Sequence, residues 1–154
     1  MFNFLRAWLI TGVTDSLFSS CLVTFAYGST VTRLWQGVAA VLLGAAAMDG
    51  GTRTAAIGLL VHFGVALAWT TVFFLILMFV PAIRGIVSSP LGVIAVASVY
   101  GPMIWLVMSM VLIPQFTHRP PVVNFRWWVQ FFGHIPFVAL PIVTMLGRAG
   151  TLSR

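Results

Sequence analysis

The stretch TAAIGLLVHFGVALAWTTVFFLILMFV, residues 54–80, decides the fold of this chain. Its 27 residues carry no charged side chain, and His62 is the only strongly polar residue among them. An α-helix needs about 20 apolar residues to cross the hydrocarbon core of a bilayer. We therefore predict a transmembrane helix with a histidine inside it.

The composition points to lipid as the solvent of the whole chain. Of the 154 residues, 60% are hydrophobic and 6% are charged, whereas soluble domains carry about 25% charged residues. The net charge of +6 comes from arginines that stand singly at the edges of apolar runs. This placement favours membrane topology and anionic headgroups over nucleic acid, so the expected partners include the bilayer and bound lipid. Cys21 is the only cysteine and cannot form an internal disulfide.

We predict one all-α domain over residues 1–154, a polytopic membrane protein with four transmembrane helices. The predicted spans are residues 5–28, 54–80, 90–113 and 125–147, and the first is expected to be uncleaved. Between the first two, residues 31–48 form a helical pattern whose apolar part is short for a crossing, which predicts an interfacial or re-entrant helix. A fifth crossing is the alternative that remains open.

The arginines do not decide the orientation. With four crossings, one side holds Arg6, Arg84, Arg148 and Arg154, and the other holds Arg33, Arg53, Arg119 and Arg126. The side with the termini carries no acid, which favours cytoplasmic termini in a multi-pass protein of the bacterial inner membrane, cytoplasmic or intracytoplasmic.

Four polar residues are predicted to meet in one layer near the membrane midplane. At a rise of about 1.5 Å per residue, Asp15 and Tyr100 lie roughly 15 Å from one side, and His62 and His134 lie roughly 12–14 Å from the other. An ionised aspartate at a helix centre costs at least about 2.5 kcal/mol. We therefore expect Asp15 to bond His62 or His134 across the bundle, with the Tyr100 hydroxyl in the same network.

Three alternatives to this network stay open at this stage. Each polar group can bond a nearby helix carbonyl, including those that Pro102, Pro136 and Pro141 leave free, and so serve packing alone. Asp15 can be the titrating group of a proton-coupled transporter with a histidine relay. His62 and His134 can be axial ligands of a haem or bacteriochlorophyll. A metal site of the soluble type is not expected, because there is no cysteine pair and no glutamate.

Two further sets of residues are predicted to position the helices. Small residues at helical spacing, Gly12 with Ser16 and Gly64 with Ala68, allow backbones to approach closely. Residues near the span ends are expected to anchor the helices at the membrane interface, namely Trp35, Arg126, Trp127 and Trp128.

The chain resembles a group of small bacterial four-helix integral membrane proteins of unknown function. The resemblance runs from Arg6 to Arg148 and lies in LWQGVAAVLLGAAA before Gly50-Gly51, in TAAIGLLVHF, in YGPM with IP closing the third span, and in GH with PI in the fourth. It implies four spans, a helix between the first two, and His62 within the second. It implies no activity.

From these features we expect an accessory or structural subunit of a larger integral-membrane complex, in an energy-transducing or photosynthetic host for example, without catalysis of its own. The expected partners are other membrane subunits or further copies of the chain. A small transporter or channel that uses Asp15 and the intramembrane histidines is the first alternative, and a cofactor-carrying redox subunit is the second.

Overall fold

A computed structural model describes the backbone of residues 2–149 and the side chains of residues 2–147. The described chain is helical and contains no strand. Four helices are long and apolar enough to cross a membrane: α1 (Phe2–Ala26), α3 (Gly51–Phe79), α5 (Pro90–Thr117) and α6 (Phe125–Gly147). The predicted all-α class and the four apolar helices are thus confirmed. Of the arginines counted for orientation, Arg154 and the side chain of Arg148 lie outside the described residues.

Two short helices complete the chain, α2 (Val31–Leu43) and α4 (Pro81–Ile86). α2 begins where the Thr30 side chain accepts a hydrogen bond from the Arg33 N–H, and it ends at Gly44, whose φ of 78° is left-handed. The predicted helix over 31–48 is therefore shorter, because Gly44 breaks it before a 3₁₀ turn at Ala45–Asp49. Its 13 residues extend about 20 Å.

Two prolines, Pro114 in α5 and Pro136 in α6, lie at wide π turns. Proline lacks the N–H that would bond four residues back. Pro114 follows the π turn Met108–Leu112, in which the Ile113 N–H bonds the Met108 carbonyl. α5 therefore continues past the predicted end at residue 113 and stops at His118, whose φ of 52° is left-handed. In α6, Pro136 lies within the π turn Ile135–Ala139.

The bundle has an apolar half and a more polar half. α6 packs against α1, α3 and α5, and α2 packs along α3. The apolar core lies where α1 and α5 begin and α3 and α6 end; it comprises Ala7, Phe73, Leu77, Val87, Ala97, Tyr100, Ile104, Val138, Ala139, Ile142, Val143 and Leu146. Large apolar side chains cover the outside, among them Leu60 at 72% and Val99 at 71% exposure. Such a surface is typical of contact with lipid.

Candidate functional site

The polar site begins on one face of α1, where Thr11 and Asp15 lie one helical turn apart. Thr11 is 1% exposed, and the Asp15 side chain is 15% exposed. Thr11 Oγ1 and Asp15 Oδ1 are both buried and have no hydrogen-bond partner among the described residues. Such groups are rare in folded proteins, so they single out this face of α1 as a candidate functional site.

His62 of α3 lies directly across from this face. Its Nδ1 is 3.8 Å from Asp15 Oδ2, and the His62 side chain is 14% exposed. Its Nε2 is 3.1 Å from the Gly12 carbonyl oxygen. A carbonyl oxygen only accepts, so Nε2 carries a hydrogen. The imidazole is thus fixed between the backbone of α1 and the carboxyl group of Asp15.

Two aromatic rings flank His62, and two further residues keep α1 and α3 close together at this point. Trp35 of α2 lies beside it with ring centroids 5.1 Å apart, and Phe63 meets it edge-on at 5.7 Å. Gly12 lets α1 and α3 approach, because a Cβ there would lie 2.5 Å from the Phe63 ring. The Trp8 indole donates to the Phe63 carbonyl at 2.8 Å and fastens the same two helices.

His134 lies near this pair but bonds to its own helix. Its Nδ1 donates to the Gln130 carbonyl at 2.7 Å, and its ring lies 5.0 Å from that of Trp105. Asp15 and His62 are both close enough to act on it electrostatically. Since His62 turns its second nitrogen towards Asp15, the structure does not present the two imidazoles as a matched pair of axial ligands. No group of three or more His, Cys, Asp or Glu that could hold a metal occurs in residues 2–149.

Tyr100 lies outside the polar cluster. Its hydroxyl donates to the Trp69 carbonyl at 2.6 Å, and its ring packs 5.0 Å from Phe73 in the apolar core. A long helical side chain leans towards the N-terminus of its own helix, and in α5 that direction leads into the apolar half. The expected network with Asp15 therefore does not include Tyr100.

Thr14 also belongs to the site, although the sequence analysis did not predict it. Its hydroxyl lies 2.6 Å from the Phe137 carbonyl oxygen of α6, and Phe18 stacks on the Phe137 ring at 4.3 Å. Pro141 leaves that carbonyl without its helical partner. The signal in the sequence was the proline, which identifies the acceptor but not the donor.

The residues predicted to pack helices or anchor them at the interface divide into two groups. Gly12 is buried, and the Ser16 hydroxyl bonds within α1 to the Val13 carbonyl. In contrast, Gly64 and Ala68 are exposed on the outer face of α3.

The residues predicted as interface anchors differ from one another in exposure. Trp35 and Trp127 are each 7% exposed, and the Trp127 indole donates to Ser109 Oγ at 3.0 Å. They are interior residues because they face neighbouring helices. Trp128 is 47% exposed, and the Arg126 guanidinium lies over the Tyr27 ring at 4.3 Å.

Two surface hollows lie at the end of the bundle where α1 and α5 end. One, of about 300 Å³, is lined in part by Trp105, Ser109, Arg119 and Trp127. The other, of about 370 Å³, is lined by Ala26, Tyr27, Asn124, Phe125 and Arg126. Neither includes Asp15 or His62 in its lining.

Comparisons with protein-family models, curated proteins and solved structures found no match. The resemblance to small bacterial four-helix membrane proteins stays a prediction.

Proposed function

We propose that this chain is a non-catalytic subunit of a larger integral-membrane assembly and that it docks through the outer face of α3. One observation carries the proposal. We compare the glycines inside the four long helices, leaving out Gly51 because it is the first residue of α3. A Cβ added at each of these glycines would meet another atom within 4 Å, except at Gly64. A Cβ at Gly64 would meet nothing within 4 Å.

The other span glycines indicate what Gly64 is for. Cβ atoms at Gly58 and Gly101 would overlap the backbone of α2 and α6, respectively. In this chain, mid-span glycine therefore marks places where a second helix comes close. Gly64 has the same residue type at the same kind of position, and Leu60 and Ala68 continue its exposed line along α3. A helix of another subunit, or of a second copy of this chain, fits that face.

The length of α2 indicates where this helix lies relative to the membrane. We propose that α2 does not cross the bilayer but lies against α3 from one side, because its length of about 20 Å is less than the ~30 Å of the hydrocarbon core. The chain is then a four-span protein of the bacterial inner membrane with both termini on the cytoplasmic side.

Site-specific photo-crosslinking in intact cells tests the docking face. A photoreactive amino acid at Ala68 of α3 is expected to give one adduct of defined mass, and the same probe at the exposed Ala95 of α5 is the control. An adduct of twice the mass of the chain identifies a homo-oligomer, and another mass identifies a different subunit. Equal, diffuse crosslinking from both positions would refute the proposal.

A matched pair of substitutions provides a second readout. Ala68→Leu and Ala95→Leu add the same bulk to two exposed positions. Purified in mild detergent, the Ala68→Leu protein should lose its partner, whereas the Ala95→Leu protein should retain it. A wild-type protein that migrates as a lone monomer would count against an assembly role.

A further inference from the structure

In the Asp15–His62 pair, the two atoms that face each other need a hydrogen between them. Because His62 Nε2 donates to the Gly12 carbonyl, a neutral imidazole presents a bare Nδ1 to Asp15 Oδ2 at 3.8 Å. If Asp15 were then ionised, two lone pairs would face each other. The pair would also bring a net negative charge into an apolar span, which is unfavourable because the bilayer interior solvates charge poorly.

One added proton removes both penalties. On Oδ2 it gives a carboxylic acid that points its hydrogen at the imidazole, and on Nδ1 it gives an imidazolium that points its hydrogen at the carboxylate. The pair is electrically neutral as a unit in both forms, and transfer of the proton between the two atoms changes no net charge. We propose that Asp15 and His62 together form a binding site for a single proton inside the helical bundle.

The titratable groups on neighbouring helices have other contacts. On α6, His134 lies near the pair, and its Nδ1 is bonded to the Gln130 carbonyl. α5 contributes Tyr100, whose hydroxyl is bonded to Trp69. α2 covers the His62 ring with Trp35, while Arg33 is exposed.

The pair is not fully enclosed by the bundle. Both side chains retain 14–15% exposure, while Asp15 Oδ1 is buried and has no partner in the described part of the chain. Proton binding is a property beyond assembly, and it survives if docking through α3 is disproved.

The experiment uses the full chain in lipid nanodiscs with ¹⁵N-histidine and ¹³C-aspartate labels. Asp49→Asn removes the other acid of the chain, which is exposed in the 3₁₀ turn, so that every aspartate signal comes from Asp15. Across a pH series, His62 Nε2 should remain protonated, while His62 Nδ1 and the Asp15 carboxyl carbon change together at one midpoint.

Two variants sharpen the result. In Asp15→Asn, the midpoint of His62 should move by at least about tenfold in proton concentration, as expected for groups that titrate as a pair. In His134→Gln, the joint step should remain. Separate midpoints for Asp15 and His62, a hydrogen on Nδ1 with none on Nε2, or an unchanged His62 midpoint in Asp15→Asn would each overturn the proposal. If Asp15→Asn does not fold, the two midpoints in the Asp49→Asn protein decide it.

Discussion

Single glycines determine how closely the helices of this bundle approach. Gly58 and Gly64 lie six residues apart on α3, yet a side chain at the first would overlap the Trp35 carbonyl, while one at the second would meet nothing. The same substitution at the two positions should therefore have opposite effects.

Gly58→Ala is expected to lower stability by about 1–3 kcal/mol because α2 must move off α3. In a detergent that separates the chain from its partner, Gly64→Ala should be neutral or stabilise by up to about 1 kcal/mol, since alanine favours the helix and touches nothing else in the chain. Thermal unfolding of the purified proteins in one detergent measures both, and tryptophan fluorescence reports the movement around Trp35. Equal stabilities would contradict the close contact.

The two tyrosines form a second matched pair at this scale. Tyr100→Phe removes the hydrogen bond to the Trp69 carbonyl and is expected to cost about 0.5–1.5 kcal/mol. The Tyr27 hydroxyl is buried without a partner among residues 2–149, so Tyr27→Phe should cost nothing. The same unfolding assay checks both, and a larger loss from Tyr27→Phe would mean that its hydroxyl is bonded.

At the scale of a helix, prolines and polar side chains compensate one another. Pro141 leaves the Phe137 carbonyl of α6 without a helical N–H, and Thr14 of α1 donates to it. The contact thus joins two helices through a backbone group that an uninterrupted helix would use itself.

A double-mutant cycle tests this compensation. Thr14→Val alone should destabilise the protein by about 0.6 kcal/mol and at most about 1.7. In a Pro141→Ala background the alanine N–H can serve the Phe137 carbonyl, and the cost of Thr14→Val should fall by at least half. Strictly additive losses would show that Thr14 bonds only within α1, where the Ile10 carbonyl lies 2.8 Å away.

The sequence predicts where the helices of this chain lie better than it predicts which neighbours their side chains contact. Apolar runs of sufficient length identify the four long helices, because length and hydropathy depend on the local chain alone. Trp35 and Trp127 are predicted at the interface from their positions near helix ends, but their burial against other helices could not be predicted, because the neighbour that a tryptophan faces depends on packing between helices. The hydroxyl of Tyr100 was expected in the Asp15 network but bonds the Trp69 carbonyl, and a rise per residue could not predict this because it contains neither helix tilt nor side-chain direction.

For the molecule as a whole, four crossings predict on which side of the membrane each connecting segment lies. In a Cys21→Ala background, single cysteines at Ala46 and Val122 should react with a membrane-impermeant reagent from one side, and Ser88→Cys from the other. These positions are exposed and lie between the long helices. Val31→Cys, at the exposed start of α2, should be labelled from the same side as position 46, and labelling of these two positions from opposite sides would show that α2 crosses the membrane.

The polar pair and the apolar core occupy different halves of the bundle, and this division was partly predictable. The sequence places Asp15 and His62 at compatible depths, and the structure brings them within 3.8 Å. The sequence could not predict that the Gly12 carbonyl bonds Nε2 of His62, because that contact depends on how α1 and α3 are rotated relative to each other.

Wide π turns occur in α1 at Leu22–Ala26, in α5 and in α6, whereas α3 runs through 29 residues without one. Turns of this kind hold their amides less tightly than regular helix, and they open locally at lower free energy. In deuterated solvent, the backbone amides at these turns of α1, α5 and α6 should exchange first, and those in the middle of α3 should exchange last. α1, α5 and α6 thus each contain a wide turn at which the helix can bend, whereas α3 is continuous, and we expect a rearrangement of the bundle to bend the first three helices at these turns and to leave α3 straight.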